Sequence, residues 1–168
     1  MHVYLLGLNH KYQLEGYDSG GKKFQPFLNM VCQDNYVDLI AEELNEEAIS
    51  LWKASGSVAK NVAVNLGVRH LFCDPDSDQR HMLGIKSRKE IINELDYGKA
   101  LTKAQSEEVD AKEISYREIR ERHWINELME QECQKCIFIL GADHIESLSR
   151  LLEEKGIKVE VIEKDWKS

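Results

Sequence analysis

No apolar run in this 168-residue sequence approaches the roughly 18 residues that a membrane helix needs. The sequence turns polar within a few residues of Met1, so we expect neither a signal peptide nor a membrane span, and a cytoplasmic location. Basic residues are outnumbered: 22 Lys and Arg against 30 Asp and Glu give a net charge of -8. Because nucleic-acid and anionic membrane surfaces are bound by clustered Lys and Arg, the charge argues against both as partners.

Cysteine is scarce, with four residues, which fits a reducing compartment. Cys32 and Cys73 lie in apolar segments, where a small hydrophobic side chain would serve as well. Cys133 and Cys136 form a Cys-x-x-Cys pair, but no second pair and no nearby His pair completes a set of zinc ligands. The pair also precedes a predicted strand instead of opening a helix, so we expect it to be structural.

The remaining composition is that of a soluble globular domain, with 42% hydrophobic and 31% charged residues in a chain long enough for a sizeable core. Apolar runs of strand length alternate with segments whose apolar residues recur at helical spacing. This alternation predicts one α/β domain over residues 1–168, with a mostly parallel central sheet of about five strands and helices on both faces.

The predicted elements follow from these patterns. Strands are expected at residues 3–6, 36–41, 68–73, 137–140 and 157–162. Helices are expected at residues 22–33, 48–66 with a break near 55–57, 107–131 and 144–154. Residues 11–21 are expected to form a loop over the top of the sheet, and residues 77–105 show only weak helical patterning around 90–95.

Two of the predicted strands end in the same motif, Gly-x-x-His. Residues 3–6 are followed by Gly7 and His10, and residues 136–140 by Gly141 and His144. Parallel sheets bind ligands beyond the carboxyl ends of their strands. If these two strands are neighbours, both imidazoles therefore open into one cleft.

Two further predicted strands end in acidic residues, Glu42-Glu43 and Asp74. Imidazoles and carboxylates at one edge of one sheet suggest a metal site or an acid–base site. Each acid also has a structural interpretation: the glutamates would suit the first turn of a helix, and Asp74 before Pro75 would suit a turn.

Arg120 is the arginine that we expect to point into the protein. It lies on one helical stripe between Tyr116 and Trp124, whereas Arg117 and Arg122 project elsewhere. Two interpretations are open: a functional role, and a structural one in which the partly buried arginine pairs with a carboxylate.

The order of these motifs resembles the TraB/TIKI group, whose relatives include the ChaN-like proteins and the erythromycin esterases. Members have a Gly-x-x-His after strand one, a glutamate ending strand two, an arginine on a late helix and a second Gly-x-x-His near the carboxyl terminus. The matching residues are Gly7 and His10, Glu43 or Glu42, Arg120, and Gly141 and His144.

Further features of this family can be placed on the sequence. Asp74 is similar to the family's aspartate after strand three, and the segment from Arg120 resembles its Arg-(Asn/Asp)-x-x-Met helix, with Trp124 at the position of the methionine. The chain is shorter than typical members. The helical insert that shapes the family's substrate pocket is therefore reduced or absent.

The resemblance implies a hydrolase of a small-molecule or peptide substrate, with metal-dependent peptide cleavage in the TIKI branch and ester cleavage in the erythromycin esterase branch. In a metal scheme, His10, His144 and Glu43 or Glu42 hold a divalent cation such as manganese, which activates water, and Arg120 stabilises the developing negative charge. In this scheme Gly7 and Gly141 are predicted to belong to the part of the site that binds the cofactor.

Without a metal, His10 or His144 acts as the general base on water and is oriented by a glutamate. The sequence leaves both schemes open. Two other functions remain: a protein without catalysis that keeps the pocket for a metal, haem or small anion, and a protein that regulates a partner in a mobile element or phage.

Overall fold

A computed structural model describes residues 1–16, 19–98 and 100–167 of the chain. The strands are β1 (His2–Leu8), β2 (Leu14–Glu15), β3 (Leu39–Glu42), β4 (Gly56–Ser57), β5 (Arg69–Phe72), β6 (Lys135–Gly141) and β7 (Lys158–Trp166). The helices are α1 (Ser19–Asn35), α2 (Glu46–Leu51), α3 (Val58–Leu66), α4 (Ser77–Met82), α5 (Arg88–Glu94), α6 (Lys103–Ser115), α7 (Arg117–Met129) and α8 (Ile145–Glu154). Short 3-10 turns, His10–Tyr12 and Ala142–His144, follow β1 and β6.

The central sheet has five parallel strands in the order β5-β3-β6-β1-β7, which confirms the predicted α/β class. Strands β2 and β4 form a separate antiparallel pair. The strands that carry the two Gly-x-x-His motifs are neighbours, paired from His2 opposite Lys135 to Leu8 opposite Gly141. Strand β3 lies on the other side of β6, so the carboxyl ends of β1, β6 and β3 are adjacent.

Side chains alternate along every strand, so the buried strands place apolar side chains on both faces of the sheet. Helices cover each face. On one face, Val3 and Leu5 of β1 pack in a core that includes Trp124 and Leu128 of α7 and the apolar side of α8. On the other face, residues such as Leu6 pack with α1 and α3. Strands β1, β3 and β6 are buried on both faces, which explains their nearly continuous apolar sequences.

The segment 77–105 is more ordered than its weak apolar pattern predicts. A capping box precedes each of the helices α4, α5 and α6: the side chain of the capping residue accepts a hydrogen bond from the amide three residues on, and its own amide donates one to the side chain of that residue. The pairs are Asp76 with Gln79, Ser87 with Glu90 and Thr102 with Gln105. The apolar pattern of this segment is weak, and the capping boxes determine where each helix begins.

Two other boundaries differ from the sequence prediction. The single helix expected over residues 107–131 is divided into α6 and α7 at Tyr116, whose backbone is both the end of one helix and the start of the next. The loop expected over residues 11–21 contains a 3-10 turn, β2 and the start of α1, with residues 17 and 18 outside the described part of the chain. Helix α1 begins at Ser19, which places Pro26 beyond its first turn.

Across the described residues, no helix combines the length and the apolar character required to cross a membrane.

Three of the four cysteines are buried, and Cys133 is half-buried. Burial raises the pKa of the Cys32 thiol to about 12. Burial also holds the pKa of the Cys73 and Cys136 thiols well above the ordinary value and raises that of Cys133. Because the thiolate is the reactive form, these side chains are poor nucleophiles in the folded protein, in line with a structural Cys-x-x-Cys.

We expect a thiol reagent such as DTNB to react only with Cys133 in the folded protein at pH 8, and slowly, because the other thiols are inaccessible and protonated. Absorbance at 412 nm measures the reaction, and all the thiols should react after unfolding in guanidinium chloride. The Cys133→Ser variant should lose the native-state reaction. Rapid labelling of Cys136 in the folded protein would contradict this assignment.

Candidate functional site

His10 and His144 lie on either side of one carboxylate, that of Glu43. Their Nε2 atoms are 3.7 Å and 3.6 Å from Glu43 Oε1. The arrangement follows from the sheet: β1, β6 and β3 end side by side, and each contributes one of these residues just beyond its carboxyl end. The structure thus brings together both Gly-x-x-His histidines and a glutamate that follows β3.

The two motif glycines have different surroundings. A Cβ atom at Gly141 would lie 3.0 Å from His10 Nε2 and 3.3 Å from Glu43 Oε2, so the missing side chain leaves room for the cluster. A Cβ atom at Gly7 would lie 2.1 Å from the carbonyl oxygen of Lys164 in β7. Gly7 therefore allows β7 to pack closely on β1, whereas Gly141 borders the cluster itself.

Glu43 is almost fully buried, at 4% exposure, and each of its oxygens is bonded. Arg120 donates from Nη2 to Oε1 at 2.9 Å, and the Gly141 amide donates to Oε2 at 2.8 Å. A buried carboxylate requires such partners, since burial of an unpaired charge is costly. Glu43 is the residue on which both imidazoles, the arginine and the β6 turn converge.

The neighbouring Glu42 does not join this cluster. Side chains alternate along β3, so Glu42 faces α3 while Glu43 faces α7. Its Oε1 accepts hydrogen bonds from the Ser57 hydroxyl at 2.5 Å and pairs with His70 Nε2 at 2.7 Å. The alternative in which Glu42 serves as a metal ligand with His10 and His144 is therefore corrected: Glu42 belongs to a separate buried group.

Arg120 points inward, as its place on the helical stripe predicts. Its Nη2 and Nε donate to Asp74 Oδ1 at 2.6 Å and 3.2 Å, and the same Nη2 reaches Glu43. Trp124 Nε1 also donates to Asp74 Oδ1, and Arg80 bonds the other oxygen. Asp74 thus fixes the guanidinium of Arg120 beside Glu43.

A buried glutamate that the sequence analysis did not single out lies behind His144. Glu121 of α7 has no exposed surface, and its Oε1 is 2.6 Å from His144 Nδ1. The Ser147 hydroxyl donates to the same oxygen at 2.6 Å. Trp124 packs with its ring centroid 4.9 Å from that of His144, at an angle of 66°. The imidazole of His144 is therefore held on two sides.

The contact with Glu121 decides which nitrogen of His144 carries a proton when the Glu121 side chain is a carboxylate. A carboxylate only accepts hydrogen bonds, so Nδ1 carries the proton and donates it to Glu121. The lone pair of Nε2 then faces Glu43 and the cleft. The His10 side chain is 48% exposed, against 10% for His144, and lies on the open side of the cluster.

Two adjoining cavities of about 250 Å³ and 320 Å³ open on this cluster and share Arg117 and His144. Arg120 lines the first, and His10 and Gly141 line the second. Each cavity is close to the lower end of the roughly 300–1,000 Å³ typical of small-molecule sites. From the helical spacing, Arg117 was expected to project away from the inward-facing stripe. In the structure it lines both cavities.

The donor atoms do not form a ready metal cage. Among residues 1–16, 19–98 and 100–167, no group of three or more His, Cys, Asp or Glu side chains is arranged to hold a metal ion. Glu43 illustrates the reason, because Arg120 occupies one of its oxygens and the Gly141 amide the other. A cation at Oε1 would lie against the positive guanidinium.

No protein-family model, curated protein or solved structure matches the chain. The resemblance to the TraB/TIKI group thus depends on the order and spacing of the motifs alone.

The charges around Asp74 make stability depend on pH. Burial alone would raise the pKa of Asp74, but the guanidinium groups of Arg120 and Arg80 lower it below its ordinary value. An unfolded aspartate has a pKa of about 3.9. The contribution of this carboxylate to stability is therefore complete above about pH 4 and is lost as the pH falls through the pKa of the folded state.

We expect Asp74→Asn to lower the free energy of unfolding at pH 7, and this deficit to shrink as the pH falls from about 5 to about 2. Urea denaturation at a series of pH values measures it. Asp34→Asn, at an exposed position in α1, is the matched control and should leave the pH dependence unchanged. A deficit for Asp74→Asn that stays constant over this range would show that the carboxylate charge is not the cause.

Proposed function

We propose that this protein is a hydrolase of ester or peptide bonds in which His144 is the general base. The observation that carries the proposal is the buried pair of His144 and Glu121, with Nδ1 and Oε1 2.6 Å apart. A histidine held in one tautomer by a buried carboxylate, with its other nitrogen facing a cleft, is the arrangement that activates a nucleophile in many hydrolases.

In the proposed reaction, Nε2 of His144 removes a proton from a water molecule as the water oxygen attacks the carbonyl carbon. The Glu121 carboxylate stabilises the imidazolium that forms. The bond to the leaving group then breaks, and His10, on the open side of the cleft, donates the proton that the leaving group needs. His144 then releases its proton to solvent and His10 takes one up from solvent, so both imidazoles return to their starting forms and each cycle consumes one water molecule.

Arg120 is the group proposed to stabilise negative charge on the attacked oxygen. It lines the cavity next to His144, and its Nη1 makes no hydrogen bond within the described part of the chain. Asp74 and Glu43 hold the rest of the guanidinium, so the donor is oriented before the substrate arrives. A preorganised donor of this kind is worth about 10²- to 10³-fold in rate.

A divalent metal, such as manganese, is the second candidate. The two imidazole Nε2 atoms lie 3.7 Å and 3.6 Å from one oxygen of Glu43, near the separation of about 3.4 Å between ligands at a tetrahedral ion. The hydrogen bond from Arg120 to that oxygen opposes it, so the metal scheme ranks behind the general-base scheme. Turnover should then survive dialysis against EDTA and gain nothing from added Mn²⁺.

We expect His144→Ala to lower kcat/KM by about 10²- to 10⁴-fold on whichever substrate of an ester and peptide panel the wild type cleaves. Glu121→Gln should lower kcat by roughly 10- to 100-fold with little change in KM, because the base is still present but poorly oriented.

Glu118→Gln is the matched control, because Glu118 lies on the same helix but is exposed and, among the described residues, pairs with Arg122 alone. It should retain wild-type kinetics. Thermal unfolding of all variants separates loss of chemistry from loss of fold. Full activity in His144→Ala would reject His144 as the general base. No turnover of any ester or peptide by the wild type would reject the hydrolase and leave a ligand-binding protein.

A further inference from the structure

Arg117 is the positive side chain that both cavities share. It occupies the first position of α7, is half-buried, and lines each cavity together with His144. Its one hydrogen bond within the described residues runs from Nη1 to the carbonyl oxygen of Asp143, at 3.1 Å. That bond leaves Nε and Nη2 without partners in the same part of the chain.

The free Nε and Nη2 atoms form one edge of the guanidinium, with two parallel donors. In Arg120 the same edge binds the carboxylate of Asp74. This geometry matches the two oxygens of a carboxylate or phosphate group, which arginine binds as a bidentate pair. Arg117 thus lines the cleft and has an anion-binding edge that no described residue fills.

Four acidic residues line the two cavities; three of them are paired elsewhere, and the exposed Asp143 forms no ion pair among the described residues. Asp110 and Glu113, which line the first cavity with Arg117, both bond to Arg88. In the second cavity, Asp165 pairs with Lys167 at 3.0 Å. None of these acids forms an ion pair with Arg117 among the residues that the structure describes.

The charge of Arg120 is also balanced. Arg120 and Arg80 together face the two carboxylates of Asp74 and Glu43, so this inner group is neutral overall. Arg117 differs from Arg120 in that its guanidinium, beside His144, forms no ion pair with an acid of the described residues, although the carboxylates of Glu121 and Asp143 lie nearby. In a protein with a net charge of -8, such a local cation is what allows an anionic ligand to approach.

We propose that the cleft binds an anionic group, a carboxylate or a phosphate, on the Nε–Nη2 edge of Arg117, and that the substrate carries this group beside the bond to be cleaved. The assignment of the substrate depends on the proposed hydrolase function. The anion site itself does not, because it can bind an ion without any reaction.

Binding is tested by NMR titration of ¹⁵N-labelled protein with inorganic phosphate and, separately, with acetate, at constant ionic strength set by chloride. We expect saturable shifts of the Gly141, Ala142 and His144 amides with at least one of the two anions, and the tighter one identifies the preferred class. Arg117→Gln should weaken this binding by about tenfold or more, because it removes a charge-assisted bidentate contact. The affinity of Arg117→Lys should lie between those of the wild type and Arg117→Gln, since lysine keeps the positive charge but cannot form the bidentate contact.

Arg122→Gln is the matched control, because it removes the same charge from the same helix at an exposed position that pairs with Glu118. It should bind like the wild type. Absence of saturable shifts in the wild type, or equal weakening in Arg117→Gln and Arg122→Gln, would overturn the site, the latter by indicating a general charge effect.

The substrate is tested with two chromogenic esters that differ only by a distal carboxylate. The wild type should prefer the anionic ester, and Arg117→Gln should lose about tenfold of that preference, measured as the ratio of kcat/KM for the two esters. Equal preference in the two proteins would overturn the substrate assignment. If neither ester is cleaved but anion binding depends on Arg117, the hydrolase proposal fails and the anion site stands.

Discussion

The structure depends on one buried carboxylate, that of Glu43, and on the need to satisfy its charge. Glu43 lies between β3 and β6 at the edge of the sheet, where the amide of Gly141 and the guanidinium of Arg120 compensate it. Because the same oxygen is also close to both imidazoles, the elements that stabilise the fold at this edge are those that carry the candidate chemistry. Removal of any one partner would leave a charge in a low-dielectric site.

Two carboxylate–histidine pairs occupy opposite faces of the same sheet, and their environments differ. Glu42 and His70 pair with Ser57 at a buried helix start, away from the cavities of the site. Glu121 holds the His144 nitrogen that faces away from the cleft and leaves the other nitrogen free. The two pairs contain the same residue types. The second pair is the candidate for catalysis because it has access to the cleft.

The sequence predicted the edge of the sheet well, because apolar runs and their terminal residues are local features. It predicted that Arg120 points inward from helical spacing alone. It did not decide between Glu42 and Glu43, since that choice depends on which face of β3 each side chain takes. Glu121 and Arg117 lie in a helix rich in charged residues, whose pattern is typical of a solvent-exposed surface. Only the packing of α7 against the turn after β6 distinguishes these two residues from the exposed charged residues of the same helix.

Strand β1 lies between β6 and β7, so the first strand to be synthesised pairs only with the last two. Its two edges stay unpaired while most of the chain emerges from the ribosome, and contacts between such distant segments form slowly. A nascent chain of this topology exposes an apolar strand that favours aggregation or chaperone binding. The cleft cannot form until β6 and His144 have been synthesised. A chain truncated before β6 lacks His144 and has no partner strand for β1.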